Sequence, residues 1–313
     1  MLDLHRLRLL RELEARGTIA AVADALRYTP SAVSQQLAVL EREAGVPLLE
    51  RAGRGVRLTD AALVLVGHAD ALLERSERAE AELAAVSGRV AGRARIASFQ
   101  SAAFHLAVPA MQSLARDAPD LRCELVEAEP EQSLPTLPIG DVDLVIGDEW
   151  QHQPLARLVA IDREDLLHDP VFLVLPPDHP AARRHRRAVP LAELAGEPWT
   201  TGHRETRSGW EEVIVRTCRQ LGGFEPDIRH RTNDSVTSLA LVAAGLAVTL
   251  LPRLVRPGAR PGVAVRALAD GSVHRTIFAA TRAADAGRPS IVALLAAIRA
   301  AAADVLADDA RGR

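Results

Sequence analysis

Residues 18–51 read TIAAVADALRYTPSAVSQQLAVLEREAGVPLLER, and this stretch decides the fold of the N-terminal part. A short apolar helix, Ile19 to Leu26, leads into Tyr28-Thr29-Pro30-Ser31. There Thr29 can act as N-cap, and Pro30 takes the first helical position, where its missing N–H costs nothing. The helix so opened runs to about Ala44 and stops at Gly45. Val33, Leu37, Leu40 and Ala44 fall on one stripe, with Ser31, Ser34, Gln35, Ala38 and Arg42 opposite. A short helix, a tight turn and a capped helix with a polar face form a helix-turn-helix, whose second helix can enter the major groove of DNA. The predicted DNA contacts are Thr29, Pro30, Ser31, Ala32, Ser34, Gln35 and Gln36. Glutamine can pair bidentately with adenine, and serine reaches phosphates or base edges.

Upstream, Leu4, Leu7, Leu10 and Leu13 recur at helical spacing up to Gly17. Downstream, two short segments at 47–50 and 56–58 flank RAGRG and predict a small hairpin. Its Arg51, Arg54 and Arg57 are placed to contact the DNA backbone with counterion release. From Thr59, a natural N-cap, one helical pattern extends to Ser87. Ala62, Leu65, Ala69, Leu72, Ser76, Ala79, Leu83 and Val86 form a heptad seam on a helix roughly 40 Å long. The outer face is charged, so the seam predicts a homodimer held through Leu65, Ala69, Leu72 and Leu83, rather than a helix packed within one domain.

Gly88 and Gly92 mark a hinge. Beyond it strands and helices alternate: 93–98, a helix to Asp117, 121–127, 143–147, 171–175, a helix from Thr206 to Leu221, 228–232, 235–244, 246–251, 275–281 and a final Ala-rich helix, 290–306. Buried apolar strands in this alternation predict parallel-rich α/β sheets. Pro135 and Pro138 require the segment after Pro130 to be broken or irregular. The fold class is α+β and multi-domain: residues 1–58 a winged helix-turn-helix DNA-binding domain, 59–87 a linker and dimerisation helix, and 88–313 an α/β domain of two subdomains. Subdomain I spans about 92–162 plus 268–313, and subdomain II about 163–267.

The 313 residues are 48% hydrophobic and 25% charged, which excludes wholesale disorder. Two cysteines, Cys123 and Cys218, cannot build a disulfide framework or a multi-cysteine zinc site. The ten histidines show no ligand spacing, so no metal and no cofactor is expected. The charged start lacks the apolar core of a signal peptide, and no stretch approaches eighteen uncharged apolar residues. A cytoplasmic protein with no membrane segment is the expectation. The net charge of −3 hides an uneven distribution: residues 1–58 carry nine arginines against seven acids, and 59–87 carry two against six. Every basic residue is arginine, the side chain suited to bidentate phosphate and base contacts. No nucleophile elbow, Walker motif or dinucleotide glycine pattern appears, so no catalytic residue is assigned.

The run from Leu4 to Thr59, with AVADAL, TPSAVSQQLAVLEREAGVPLLER and RLT, resembles the winged helix-turn-helix of LysR-type transcriptional regulators. The order of the rest agrees: a linker helix, GRARIAS, ELVE, DVDLVIG, the P-D-H-P at 177–180 and LVAAGLAVTLLP at 241–252. The chain departs from the family with Asp60 and Ala62 where Pro and Gly are common. The resemblance implies a homo-oligomeric regulator of double-stranded DNA, a dimer extending to a tetramer, with a C-terminal domain shaped like periplasmic binding proteins. A small-molecule effector would bind at its strand ends, where open α/β sheets take ligands. Those ends supply Ser98, Phe99, Gln100 and Ser101; Gly147 and Asp148; Thr201, Gly202 and His203; Asn233 and Asp234. The resemblance itself carries over Gln100, Ser101, Thr201 and Asn233. His203 and Arg204 favour a small carboxylate or amino acid, whereas Asp148 and Asp234 would suit an amine. The alternatives are an architectural DNA-binding protein indifferent to ligand, and a small-molecule-binding protein or enzyme on the α/β domain.

Overall fold

The computed structural model describes residues 1–52, 55–86, 89–138, 140–150, 153–155, 160–203 and 209–311. Arg54, Arg204, the hinge at Gly88 and the helix start at Thr206 lie outside them. The chain separates into two compact units, Met1–Ser87 and Gly88–Arg313.

In the first unit the first three helices each start and stop on a local signal. Helix α1 (Leu4–Arg16) is capped by Asp3, whose carboxylate accepts from Arg6 N at 3.1 Å, and ends at Gly17 in the left-handed region. Helix α2 (Ile19–Leu26) is capped by Thr18 and ends at Arg27, also left-handed at φ 57°. Helix α3 (Pro30–Ala44) has Thr29 Oγ1 accepting from Ala32 N at 3.2 Å, and Gly45 at φ 72° closes it. Strands β1 (Leu49–Ala52) and β2 (Gly55–Leu58) pair antiparallel as the expected hairpin. The Glu41 carboxylate accepts from the N–H groups of Leu48 and Leu49 at 2.8 and 2.9 Å, tying the hairpin to α3. Leu7, Leu10, Val22, Val33, Leu37, Leu40 and Leu48 form the core, each such side chain contributing about 1.5–3 kcal/mol by leaving water.

Helix α4 (Asp60–Val86) corrects the expected seam. Ala62, Val66 and Ala69 are buried in the core of their own unit, with Leu65 packed partly against it. Ala69 is therefore an internal contact and not a dimer contact, because α1 lies along the first turns of α4. Past that point the apolar residues are uncovered in the single chain: Leu72 is 45% exposed, Leu83 70% and Val86 87%.

The second unit contains β3 (Gly92–Ser98), α5 (Gln100–Ala102), a π-turn over Ala103–Ala107, α6 (Val108–Asp117), β4 (Leu121–Glu127), α7 (Pro130–Ser133) and β5 (Leu144–Trp150). Strand β6 (Ile161–Leu175) follows, then α8 (Pro180–Arg184), β7 (Ala188–Val189), β8 (Pro198–Thr201), α9 (Trp210–Thr217) and β9 (Asp227–Arg231). Helix α10 (Ser235–Ala243), β10 (Thr249–Pro252), β11 (Ala264–Leu268), β12 (His274–Arg282) and α11 (Pro289–Arg311) complete it. The larger sheet runs β4-β3-β5-β12-β6-β11-β7 with β10 on β6, while β8 and β9 pair separately.

The sheets are mixed rather than parallel-rich. β3 is parallel to β4 and β5, but β12 runs antiparallel to both β5 and β6, and β6 antiparallel to β10 and β11. Strand β6 begins ten residues before the expected 171–175. Its first part, Ile161–Pro170, pairs with β12, and its last, Val171–Leu175, pairs with β10 and β11. One strand thus serves two cores: Leu167 packs with Ile96, Leu144 and Ile277, whereas Val171, Leu173 and Leu175 pack with Leu191, Trp199 and Leu250. A boundary at 162/163 falls inside this strand.

Helix α11 is long and apolar enough by length and composition to cross a membrane, with mean hydropathy 1.9 over Pro289–Asp308. Arg299 and Asp304 interrupt it. Its Ile291, Leu294, Ile298, Ala302 and Val305 are buried in the first of the two cores, and Arg299 forks Glu164 at 2.6 and 2.7 Å.

Candidate DNA-reading face and effector cleft

On α3 the burial of Val33, Leu37 and Leu40 turns the opposite side outward. Thr29, Pro30, Ser31, Ser34 and Gln35 are exposed, and Ala32 is half-buried. Gln36 departs from that face. It is half-buried, and its Oε1 accepts from Arg6 Nη1 at 3.2 Å, while the same guanidinium forks Glu43 at 2.7 and 3.1 Å. Arg51 and Arg57 are exposed on the hairpin, where Arg57 pairs with Glu50 on the facing strand. An exposed helix N-terminus carrying hydroxyls and an amide, beside an arginine-bearing hairpin, is a face that can meet phosphates and base edges.

In the second unit a cleft opens at the strand ends and holds about 630 Å³ of space free of protein atoms, open to solvent. Phe99, Gln100, Ser101, Asp148, Gly202 and Asn233 line it, as do Thr232, Ser235 and Ser238. The ends of β3 and β9 meet across it through one side chain. Gln100 Nε2 donates to Asp234 Oδ1 at 3.1 Å, and its Oε1 accepts from Ser235 Oγ at 2.7 Å and Ser235 N at 3.2 Å. Asp234 caps α10 by accepting from Val236 N and Thr237 N, and the Thr237 hydroxyl above all holds its carboxyl below the usual range.

Of the predicted site residues, Asp234 meets the cleft only through Gln100, and four more lie elsewhere. Ser98 is fully buried, its hydroxyl donating to Phe99 O. Thr201 is buried at 1% exposure, and its Oγ1 has no hydrogen-bond partner among the described residues. Both faces of β8 are covered here, with Trp199, Thr200 and Thr201 all buried, and the chain meets the cleft only at the next residue, Gly202. Gly147 packs under Phe278, whose Cζ would stand 2.5 Å from an added Cβ. His203 is exposed and lines a separate cavity with Glu131, Gln153 and Arg231.

The base of the cleft is built on a residue that sequence reasoning missed. Arg275, at the start of β12, is 5% exposed, and its guanidinium is engaged at every nitrogen. Nε donates to Asp169 at 2.9 Å, Nη1 to Asp148 at 2.9 Å and Nη2 to Ser101 Oγ at 2.9 Å. Burial opposes its charge, but Asp169 and Asp148 outweigh that and hold Arg275 above its ordinary value. Its Cζ also stands 4.7 Å from the Phe99 ring centroid and 5.6 Å from that of Trp150. Glu129, Trp150 and Trp210 also line the cleft, with Leu251, Pro252 and Val255 on the apolar side. Burial, with the neighbouring Asp148 second, pushes the Glu129 carboxyl up to about 7. A lone arginine opening an apolar strand reads as a surface residue. Asp169 lies just before the expected strand at 171–175, and only the β6–β12 pairing brings the two together.

Comparison with known proteins follows the same division. A family model described as the LysR substrate binding domain matches residues 87–303, and one described as a bacterial regulatory helix-turn-helix protein of the lysR family matches 4–63. The chain is 28% identical over 308 residues to the probable HTH-type transcriptional regulator LrrA of Synechococcus elongatus, covering 98% of this chain and 99% of that one. It is 32% identical to the DNA-binding transcriptional dual regulator OxyR of Escherichia coli over 76% of this chain and 75% of that one. Among solved structures, full-length CbnR complexed with its target DNA has the same fold, with a TM-score of 0.69 at 21% identity over 96% of this chain and 100% of that one. The chain belongs to the LysR family: it is a DNA-binding transcriptional regulator with a winged helix-turn-helix and an effector-binding domain.

Proposed function

We propose that this regulator reads DNA with Ser31, Ser34 and Gln35 of α3, supported on the backbone by Arg51, Arg54 and Arg57, and that a small molecule in the cleft over Arg275 modulates it. The observation that carries the reading is the Thr29-capped start of α3, which presents a hydroxyl and amide face to solvent while its other side is fixed in the core. Gln100, Ser101, Asp148, Gly202 and Asn233 are the effector contacts, with Asp234 acting through Gln100.

The uncovered end of α4 supports a homodimer formed through Leu72 and Leu83, since about 1.5–3 kcal/mol is gained for each such side chain removed from water. Residues 1–58 are the DNA-binding domain, 59–87 the linker helix and 88–313 the effector domain, with the passage between subdomains near Leu167–Val171 of β6. The protein works in the cytoplasm and catalyses no reaction.

The experiment is a DNase I footprint of the full chain on the DNA upstream of its own gene. Two protected half-sites spaced by whole helical turns are expected, because a two-fold dimer presents two copies of α3. Protection that excess non-specific DNA removes entirely would overturn the reading.

A further inference from the structure

The cleft concentrates a scarce resource. The chain has nine aromatic side chains (three Trp, one Tyr and five Phe), and Phe99, Trp150 and Trp210 all line this one cavity. Trp150 and Trp210 lie 5.1 Å apart between ring centroids, tilted by 43°. An aromatic face attracts a cation through its quadrupole, most strongly for tryptophan.

The charges lining the cleft point the same way. Among the described lining residues the ionisable ones are Glu129, Asp148 and Arg275. Arg275 is committed to Asp148, Asp169 and Ser101 in the protein itself, and Asp169 stands behind it with no exposure. The Glu129 carboxylate makes no hydrogen bond or ion pair with any described residue and does not cap α7, although Glu129 is the N-cap residue. One buried cation thus faces two buried aspartates, with a third carboxylate beside them uncompensated. A ligand carboxylate entering here would meet like charge, whereas a ligand cation would meet opposite charge and π faces. His203, one basis for expecting an anionic ligand, faces the other cavity.

We infer that the effector of this cleft carries a cationic nitrogen, an ammonium or methylated ammonium, on a flat or apolar body that lies against Trp150 and Trp210 while the charge meets Glu129 and Asp148. The inference rests on reading the cleft as the effector site.

The test uses the full chain and a size-matched panel: benzylamine, phenethylamine, benzyltrimethylammonium and tyramine against benzoate, phenylacetate and benzyl alcohol. Binding is read by thermal shift and calorimetry at pH 7.5, on wild type, Glu129→Gln and Trp210→Ala. The expected result is binding by at least one cation, weakened tenfold or more in both variants, with carboxylates at least tenfold weaker than the matching amines. Glu129→Gln swaps one half-buried polar group for another of the same shape, so it keeps the measurement valid should Trp210→Ala fold poorly. Carboxylate binding lost in Trp210→Ala, without cation binding, overturns the charge assignment and leaves the cleft as the site. Binding of either class that neither variant alters overturns the cleft itself. An absence of cation binding across the panel overturns the inference.

Discussion

Replacing Arg275 by Met tests how the cleft is held together. The change keeps length and apolar volume and removes the charge, leaving Asp169 at 0% and Asp148 at 11% side-chain exposure with their shared partner gone. Removing one member of a buried ion pair costs about 3–5 kcal/mol, because the remaining charge is stranded in a poorly polarisable site. Here two carboxylates are stranded and Ser101 loses its donor, so the upper part of that range is expected. The assay is urea unfolding followed by tryptophan fluorescence, which reports the second unit alone because Trp150, Trp199 and Trp210 all lie in it. The sign with pH follows from proton linkage. Burial already holds the Asp148 carboxyl above its ordinary range against the pull of Arg275, and losing that guanidinium raises it further, so the native state binds more protons as pH falls and the loss shrinks between pH 7.5 and 5. Adding Asp148→Asn and Asp169→Asn should recover much of the stability, since neutral amides are far cheaper to bury than unpaired charges. A loss under about 1 kcal/mol at pH 7.5, or one that does not shrink at pH 5, would refute the reasoning.

Three other outcomes follow from the same structure. Leu72→Glu, on the uncovered part of α4, should dissociate the dimer in sedimentation and with it tight operator binding, whereas Ala69→Glu should unfold the first unit instead; an intact dimer in Leu72→Glu would place the interface elsewhere. Thr201→Val removes a buried hydroxyl that lacks a partner, so stability should stay the same or rise by up to about 1 kcal/mol, and a lost effector response in that variant would return Thr201 to the site. Glu129 is held at about 7 against its ordinary 4.5, so the native state binds more protons between those values; stability should fall as pH rises through that window, and fall less in Glu129→Gln by urea unfolding at pH 5 and 8.

The helix-turn-helix was legible because its signals are local. Thr29, Pro30 and Gly45 act on the helix they flank, and Val33, Leu37 and Leu40 repeat at the helical period. The cleft was half legible: strand ends are visible in sequence, so Gln100, Ser101, Asp148 and Asn233 could be named. That β8 is covered on both faces, burying Thr201 and leaving Gly202 as the residue at the cleft, depends on the packing of distant elements and has no local sequence signal. The start of β6 was hidden because Asp162, Arg163, Asp165 and His168 break the apolar run that marks a buried strand, although in an antiparallel pair with one wet face they are ordinary strand residues. Arg275 and Asp169 are 106 residues apart, and nothing local marks either as a partner. The seam of α4 was continuous in sequence, but the period could not tell which turns α1 would cover.

The central claim is that the exposed amide and hydroxyl face of α3 reads base sequence. The most direct measurement is the ratio of specific to non-specific affinity for the footprinted operator, by fluorescence anisotropy at physiological salt, in wild type and Gln35→Ala. The account predicts that Gln35→Ala loses about 1–3 kcal/mol on the specific site and almost nothing on random duplex, so that the ratio falls by about 5- to 150-fold. A ratio equal to that of wild type would show that α3 is not the reader.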